Sequence, residues 1–258
     1  MKSVNKEEIQ RAFTQQASGF GSNKMNFTKQ DYLDYMVARM APAKTDCVLE
    51  LAAGTCICGR AVAPYAGHIT CLDMTPAMLL VGKKAAEKEC LDNMSFVLGD
   101  VAELPFLDES FDIVFSRLAF HHFPDIEQPF SEMKRVLKPG GKLVIVDMEA
   151  TEEELRQTED EIERLRDPSH VRNRSKKEFL SLYEKNGMKV DFCEITKIPV
   201  VLQNWMEHTQ TPQDVQDIII GKVEADLQGG AKTGFHPYVR HGVIQFDHRW
   251  MMMEGRKQ

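Results

Sequence analysis

Three acidic residues stand at the close of three successive short apolar runs: Glu50 in VLELAAGTCICG, Asp73 in CLDMTPAML and Asp100 in FVLGDVAELPF. A carboxylate so placed accepts hydrogen bonds from hydroxyl and amino groups. It also favours a cationic ligand, such as a sulfonium, by about 1 kcal/mol or more per close pair as burial increases. Between the first two acids, Ala52, Ala53 and Gly54 are almost bare of side chain, so backbone N–H groups at the opening of a helix can approach a bound molecule closely. Two ligand classes use such a turn. Read as a dinucleotide fingerprint, Gly54-Thr55-Cys56-Ile57-Cys58-Gly59 has a cysteine where the second glycine admits a pyrophosphate, which counts against a nicotinamide-dependent oxidoreductase. A ligand with a carboxylate, an amine, a ribose and an adenine but no phosphates needs the close approach without that cradle. Asp73, nineteen residues after Gly54, is spaced to accept from both ribose hydroxyls in either class.

Other residues suit proton transfer or acceptor recognition. His121 and His122 follow the fourth apolar run, and an imidazole is the natural base when an acceptor must lose a proton near neutral pH; packing of the turn before Phe123-Pro124 is the competing role. In ERLRDPSHVRNRS, the turn at Asp167-Pro168-Ser169 leads to His170, Arg172 and Arg174, a set that would face an anionic acceptor or else form a solvated salt-bridged loop. Phe13, Phe20 and Phe27 near the amino terminus, with Trp205, Met206 and GGAKTGFHPY later, read as a lid over an acceptor pocket or as core. GGAKTGF lacks the Gly-Lys-Ser/Thr ending of a phosphate loop. Cys56-Ile57-Cys58 lacks the further Cys or His that a zinc site needs, so no metal is expected.

The elements that must position these residues follow from hydrophobic period and punctuation. Strands are expected at Cys47–Leu51, His68–Leu72, Ser95–Leu98, Phe111–Ser116 and Lys142–Val146. Helices are expected at 6–17, at 29–40 with Thr28 as N-cap and a stop before Pro42, and after Thr75-Pro76. A further helix carries Phe130, Met133 and Leu137 and stops at Pro139-Gly140-Gly141. An acidic helix opens at Thr151, and a capping box at Ser175 and Glu178 opens another. MKVDFCEI and VIQFDHRWMMMEGRK read as late strands, with helices near Trp205 and after Thr211-Pro212 between them; Trp250 reads as packing. Strands alternating with helices imply parallel pairing through right-handed crossovers, hence a three-layer α/β sheet with ligands at the carboxyl ends of its strands.

The totals allow one large domain or two small ones in a globular body. A chain of 258 residues with 43% apolar content supports a substantial core. Its net charge of −7, with no run of basic residues, leaves no electrostatic footprint for nucleic acid. The polar start MKSVNKEEIQ and the absence of any apolar run of about eighteen residues argue against a signal or membrane segment, so a cytoplasmic location is expected. The six cysteines read as reduced thiols.

The segments VLELAAGTCICG, CLDMTPAML, FVLGDVAELPFLDESFDIVFSRLAFHHFPD and EMKRVLKPGGKLVIVD together span about residues 45–150. At this spacing the chain resembles the class I S-adenosylmethionine-dependent methyltransferases, in particular the ubiquinone/menaquinone-biosynthesis methyltransferase-like (type 11) branch. The resemblance implies a Rossmann-like sheet of seven strands, mostly parallel with an antiparallel last strand, plus a helical cap. It divides the chain into a helical lid at 1–44, a cofactor-binding core at 45–150 and a part at 151–258 that completes the sheet, with a substrate cap inserted at about 196–242. It assigns Glu50, Ala52 and Gly54 to the methionine part of the cofactor, Asp73 to the ribose, and Met74, Asp100 and Val101 to the adenine. Ser116 and Arg117 would line the cofactor from the fourth strand. His121, His122 and His170 become candidates for catalysis, and Phe20, Arg172 and Trp205 for substrate binding. The implied activity is methyl transfer from S-adenosyl-L-methionine to a small molecule, a quinone precursor or another metabolite; a homodimer is the candidate assembly. A non-catalytic protein that binds the same cofactor as a regulator or scaffold is the alternative. Cys56 departs from the family's glycine and is expected to narrow the site or alter cofactor affinity.

Overall fold

The computed structural model describes residues 10, 11, 13, 14, 29–150 and 152–258. Chain order begins with α1 (Gln30–Met40), β1 (Cys47–Leu51), α2 (Ile57–Val62), β2 (His68–Asp73), α3 (Pro76–Lys88), β3 (Met94–Leu98) and β4 (Phe111–Arg117). After a 3₁₀ turn at Phe120–His122 come α4 (Glu127–Val136), β5 (Leu137–Met148), α5 (Arg156–Arg166), α6 (Lys176–Lys185) and β6 (Met188–Val201). The chain then forms α7 (Leu202–His208), α8 (Gln213–Leu227), β7 (Tyr238–Arg240) and β8 (Val243–Lys257). The expected N-cap Thr28, Phe20, Phe27 and the opening residue Thr151 lie outside the described residues.

The strands form one eight-stranded sheet in the order β3-β2-β1-β4-β5-β8-β6, with β7 paired to β8. The first five strands are mutually parallel, and β8 runs antiparallel between β5 and β6. The eighth strand beyond the expected seven is β7, three residues long, which forms a hairpin with the start of β8.

Alternation along each strand divides the core between two faces. Leu49 and Leu51 of β1, Val114 of β4 and Leu143 and Ile145 of β5 face α4 and α6, meeting Phe130, Met133, Phe179 and Tyr183. Val48, Ile113, Phe115 and Val144 face the other way, toward Leu33, Met36 and Met40 of α1 and Val62 of α2. In α1 the buried residues Leu33, Met36, Val37 and Met40 recur at helical spacing, each contributing about 1.5–3 kcal/mol by burial. Ala41 ends that helix in the left-handed region, φ 43°, immediately before Pro42. The expected capping box is formed: Ser175 Oγ accepts from Glu178 N and the Glu178 carboxylate accepts from Ser175 N.

The late strands overrun the sheet. β5 pairs with β8 only over Trp250–Arg256, whereas β6 stays paired with β8 as far as Val201 and Gln245. The strand expected to end near Ile195 therefore continues through Pro199. Proline is tolerated because β6 is the outer strand of the sheet, where a missing N–H breaks no interior ladder. The projecting arm carries α7 and α8, whose cap has its own core of Trp205, Met206, Ile219, Val223, Phe235 and Phe246 with Ile162 of α5. All six cysteines are free thiols, and Cys90 is exposed. No helix among the described residues is long and apolar enough to cross a membrane.

Candidate functional site

The turn after β1 is built from left-handed backbone: Ala52, Gly54 and Cys56 have φ of 52°, 52° and 55°. For a residue with a Cβ this costs about 1–2 kcal/mol, so the turn holds only because surrounding bonds over-determine it. Ala53 N donates to Leu72 O at 3.0 Å and Cys56 N to Ala53 O at 2.8 Å. Gly54 N donates to Asp73 Oδ2 at 2.7 Å, and Thr75 N donates to Asp73 Oδ1 at 2.8 Å, so one carboxylate ties together the ends of β1 and β2. Glu50, inside β1, receives Gly59 N at 2.8 Å and the Cys71 thiol at 3.4 Å on the same Oε2. A Cβ on Gly59 would stand 2.7 Å from that oxygen, which is why α2 needs glycine at this point.

These carboxylates are costly to bury. Desolvation pushes the Glu50 carboxyl up to about 7 against the opposing pull of Cys71, Gly59 N–H and Arg117. Burial likewise raises Asp73, opposed by the N–H groups of Gly54 and Thr75. Cys56 packs behind the turn: it is fully buried, its thiol faces Gly54 O at 3.6 Å, and it is not part of the cleft wall. The expected narrowing of the site by this side chain is thus not seen.

A cleft opens at the carboxyl ends of the parallel strands. Glu50, Ala52, Gly54, Asp73, Met74, Asp100, Val101 and Arg117 line it, as do His121, His122 and Trp205. Asp100 follows β3, and its Oδ1 accepts Ala102 N at 2.9 Å. Arg117 ends β4, with Nη1 3.6 Å from the Cys58 sulfur and its guanidinium 4.9 Å from the Trp250 ring centre. Ser116 lies off the wall, fully buried, donating to Leu51 O at 3.0 Å and so tying the ends of β4 and β1.

After β4, next to the turn that follows β1, stands an imidazole group. His121 Nδ1 is 2.6 Å from Asp147 Oδ1; the same carboxylate accepts Met148 N at 2.7 Å, Phe120 N at 2.6 Å and Ala119 N at 3.1 Å. Against the penalty of burial, His121, then the Met148 N–H and His122, hold the Asp147 carboxyl below its usual range. His122 Nδ1 lies 3.0 Å from the Ser169 carbonyl, and Ser169 Oγ donates to Asp167 at 2.6 Å. Burial, then the adjacent His121, push the His122 imidazole down to about 3. His170 does not reach the cleft; its Nε2 meets Asp160 Oδ1 at 2.8 Å and its ring stacks 5.7 Å from His121.

The segment before α6 braces this turn. Val171 N and Arg172 N both donate to His121 O at 3.0 Å. Arg174, expected to face an acceptor, instead donates to the carbonyls of Phe120 and Phe123 at 2.7 Å each. Arg172 is exposed and bonds Glu178 at 2.6 Å, away from the cleft. Trp205 is on the cleft wall and fully buried, with the Arg166 guanidinium 4.7 Å above its ring. Phe13 meets His122 edge-on at 5.2 Å and also borders the cleft, whereas Phe20 is outside the described residues. Among the described residues no group of His, Cys, Asp and Glu is arranged to hold a metal ion.

Sequence reasoning missed Asp147, Arg166, Asp167, His208, His248 and the cleft-facing part of Trp250; all but Asp147 are on the cleft wall. Only Asp147 carried a readable signal, an aspartate in the apolar strand LVIVDM, where a buried charge requires partners.

The domain family described as Methyltransferase domain matches residues 49–145. An uncharacterized methyltransferase, YcgJ of Bacillus subtilis strain 168, is 31% identical over 209 residues, covering 81% of this chain and 82% of its own. The crystal structure of the YcgJ protein superposes with a TM-score of 0.81 at 28% identity, over 89% of this chain and 99% of that one. The ubiquinone/menaquinone biosynthesis C-methyltransferase UbiE of Brucella canis is 37% identical over 125 residues, 46% of each chain.

Proposed function

This chain belongs to the class I S-adenosylmethionine-dependent methyltransferases, and on that premise we propose that it transfers a methyl group from S-adenosylmethionine to a small-molecule acceptor. The residues present fit that donor. The left-handed turn at Ala52, Gly54 and Cys56 brings backbone close to the cleft without side chains in the way. Glu50 and that turn would hold the amino-acid end, Asp73 the ribose hydroxyls, and Met74, Val101 and Asp100 the adenine. The buried carboxylates of Glu50 and Asp73 recover part of their desolvation cost when a cationic, hydroxyl-bearing ligand arrives.

When bound, S-adenosylmethionine supplies a methyl carbon already activated by a sulfonium leaving group. The protein's share is alignment and exclusion of water. One observation carries the reading: Glu50, Gly54, Asp73 and Asp100 line the same cleft as His121, His122 and Trp205, so donor and acceptor would meet within it. The β6–β8 arm and α7 border the cleft through Val200, Trp205 and His208 and would close its acceptor side. Likeness to UbiE makes a quinone precursor the first acceptor to try.

Calorimetry with S-adenosylhomocysteine should register binding to the folded chain, and methyl-labelled S-adenosylmethionine should label a small product. No heat with either nucleoside refutes the reading. Binding without turnover across a broad acceptor panel favours a regulatory or scaffold role.

A further inference from the structure

The acceptor side of the cleft holds two adjacent histidines in unlike surroundings, with ring centres 4.1 Å apart. His122 has only the Ser169 carbonyl and hydroxyl at Nδ1. His121 has a carboxylate, and that carboxylate also takes three backbone N–H groups, from Ala119, Phe120 and Met148. A carboxyl group that already accepts three backbone N–H groups is held ionised and can only accept, so the proton between it and His121 belongs to Nδ1. In the neutral ring the other nitrogen, Nε2, then carries the lone pair. It makes no hydrogen bond to a described residue, and the His121 side chain borders the cleft.

Position supports chemistry here. β4 lies beside β1 with Ser116 opposite Leu51, so the turn that follows β4 stands next to the turn that follows β1. Arg117, four residues before His121, touches Cys58 of α2. The imidazole is thus held beside the end of the cleft where Glu50 and Gly54 lie.

We propose that His121 Nε2 is the general base of the reaction, that Asp147 is its positioning residue, and that the acceptor is a hydroxyl or an activated carbon that must lose a proton. This rests on the methyl-transfer reading above and narrows its acceptor. As the acceptor atom bonds to the methyl carbon, the carbon–sulfur bond breaks and its electron pair stays on sulfur. The acceptor's proton passes to Nε2, giving an imidazolium facing the Asp147 carboxylate, and then to water. Among the described residues, the charged and titratable groups in contact with His121 are Asp147 from β5, His122 from its own turn and His170 from the segment before α6, with Arg174 bonded to the adjacent Phe120 carbonyl.

The test begins without turnover. In the full chain labelled with ¹⁵N-histidine, long-range proton–nitrogen correlation at pH 7.5, with and without S-adenosylhomocysteine, should show His121 protonated at Nδ1 and bare at Nε2. A proton on Nε2 overturns the proposal whatever else is found. Turnover is then measured with phenol, catechol and acetylacetone against trimethylamine and dimethyl sulfide, which have no proton to give at the accepting atom. Methylation should be confined to the first group. H121Q should lower kcat by about 100-fold or more with KM within a few fold. D147N should shift the His121 proton toward Nε2 and give an intermediate loss. If that variant fails to fold, the wild-type tautomer and H121Q still decide. Methylation of trimethylamine or dimethyl sulfide, or an H121Q chain with undiminished kcat, overturns the assignment. Failure to bind S-adenosylhomocysteine would instead sink the methyl-transfer reading and leave the tautomer result standing.

Discussion

Gly82 of α3 makes the room that Cys56 occupies behind the turn after β1: a Cβ at position 82 would stand 2.8 Å from Cys56 Sγ and 2.8 Å from Thr55 O. A cysteine where the turn would otherwise take glycine is thus matched by a glycine in the helix packed against it. Gly82→Ala should gain about 1 kcal/mol of helix propensity but lose more to overpacking, a net destabilisation of about 1–2 kcal/mol. Cys56→Ala in the same chain should restore part of it. Urea unfolding of the two single variants and the double variant measures the coupling, and strictly additive values would contradict the contact.

Glu50 makes stability depend on pH. Its carboxyl is near 4.5 when unfolded and about 7 in the folded chain. Below about 4.5 both states are protonated. Between there and 7 the folded state holds the extra proton, so stability falls as pH rises, by at most about 3 kcal/mol in all. Glu50→Gln should abolish this slope, melt higher than the parent above pH 7, and weaken S-adenosylhomocysteine binding by losing the charge. Melting curves of the two proteins at pH 5, 6, 7 and 8 should converge at the acid end; a constant offset would show that Glu50 does not titrate there.

Asp73 ties the ends of two strands as well as facing the cleft. Asp73→Ala leaves Gly54 N–H and Thr75 N–H without their acceptor, which should cost about 1–3 kcal/mol and speed amide exchange at both. Affinity for S-adenosylhomocysteine should fall at least about tenfold, equivalent to 1.4 kcal/mol. Unchanged affinity with faster exchange would leave Asp73 a purely structural role.

Trp205 fills the centre of the cap, against Phe235 and Phe246 and beneath Arg166. Trp205→Ala should destabilise the cap by about 3–5 kcal/mol. Because the sheet has separate cores, hydrogen exchange should rise across α7 and α8 while β1 and β4 keep their protection, and S-adenosylhomocysteine should still bind. Loss of nucleoside binding would mean that cap and core unfold together.

Much of the fold was legible in particular segments. CVLEL and FDIVFSR read as strands because apolar residues fill short runs bounded by turn formers, and Ser175 with Glu178 signals a helix start that local bonds alone produce. MKVDFCEI is only the first part of β6: Thr196, Lys197 and Pro199 have the composition of a loop, and only the outer place of β6 in the sheet makes that stretch a strand. His121 was legible as a candidate but its partner was not, since Asp147 is 26 residues away and reaches it only through the β4–β5 pairing. Arg172 and Arg174 looked alike in sequence, yet one ends in solvent with Glu178 and the other against buried carbonyls.

By itself the sequence determined the parallel α/β core, the small-residue turn and the acids that follow successive strands, because period, punctuation and side-chain size act over a few residues. The tertiary structure decided which polar groups share a cleft, which histidine has a carboxylate partner, and that Cys56 turns away from the ligand side. Those outcomes depend on strand order and burial, which bring distant residues within hydrogen-bonding range, and no local pattern encodes that distance.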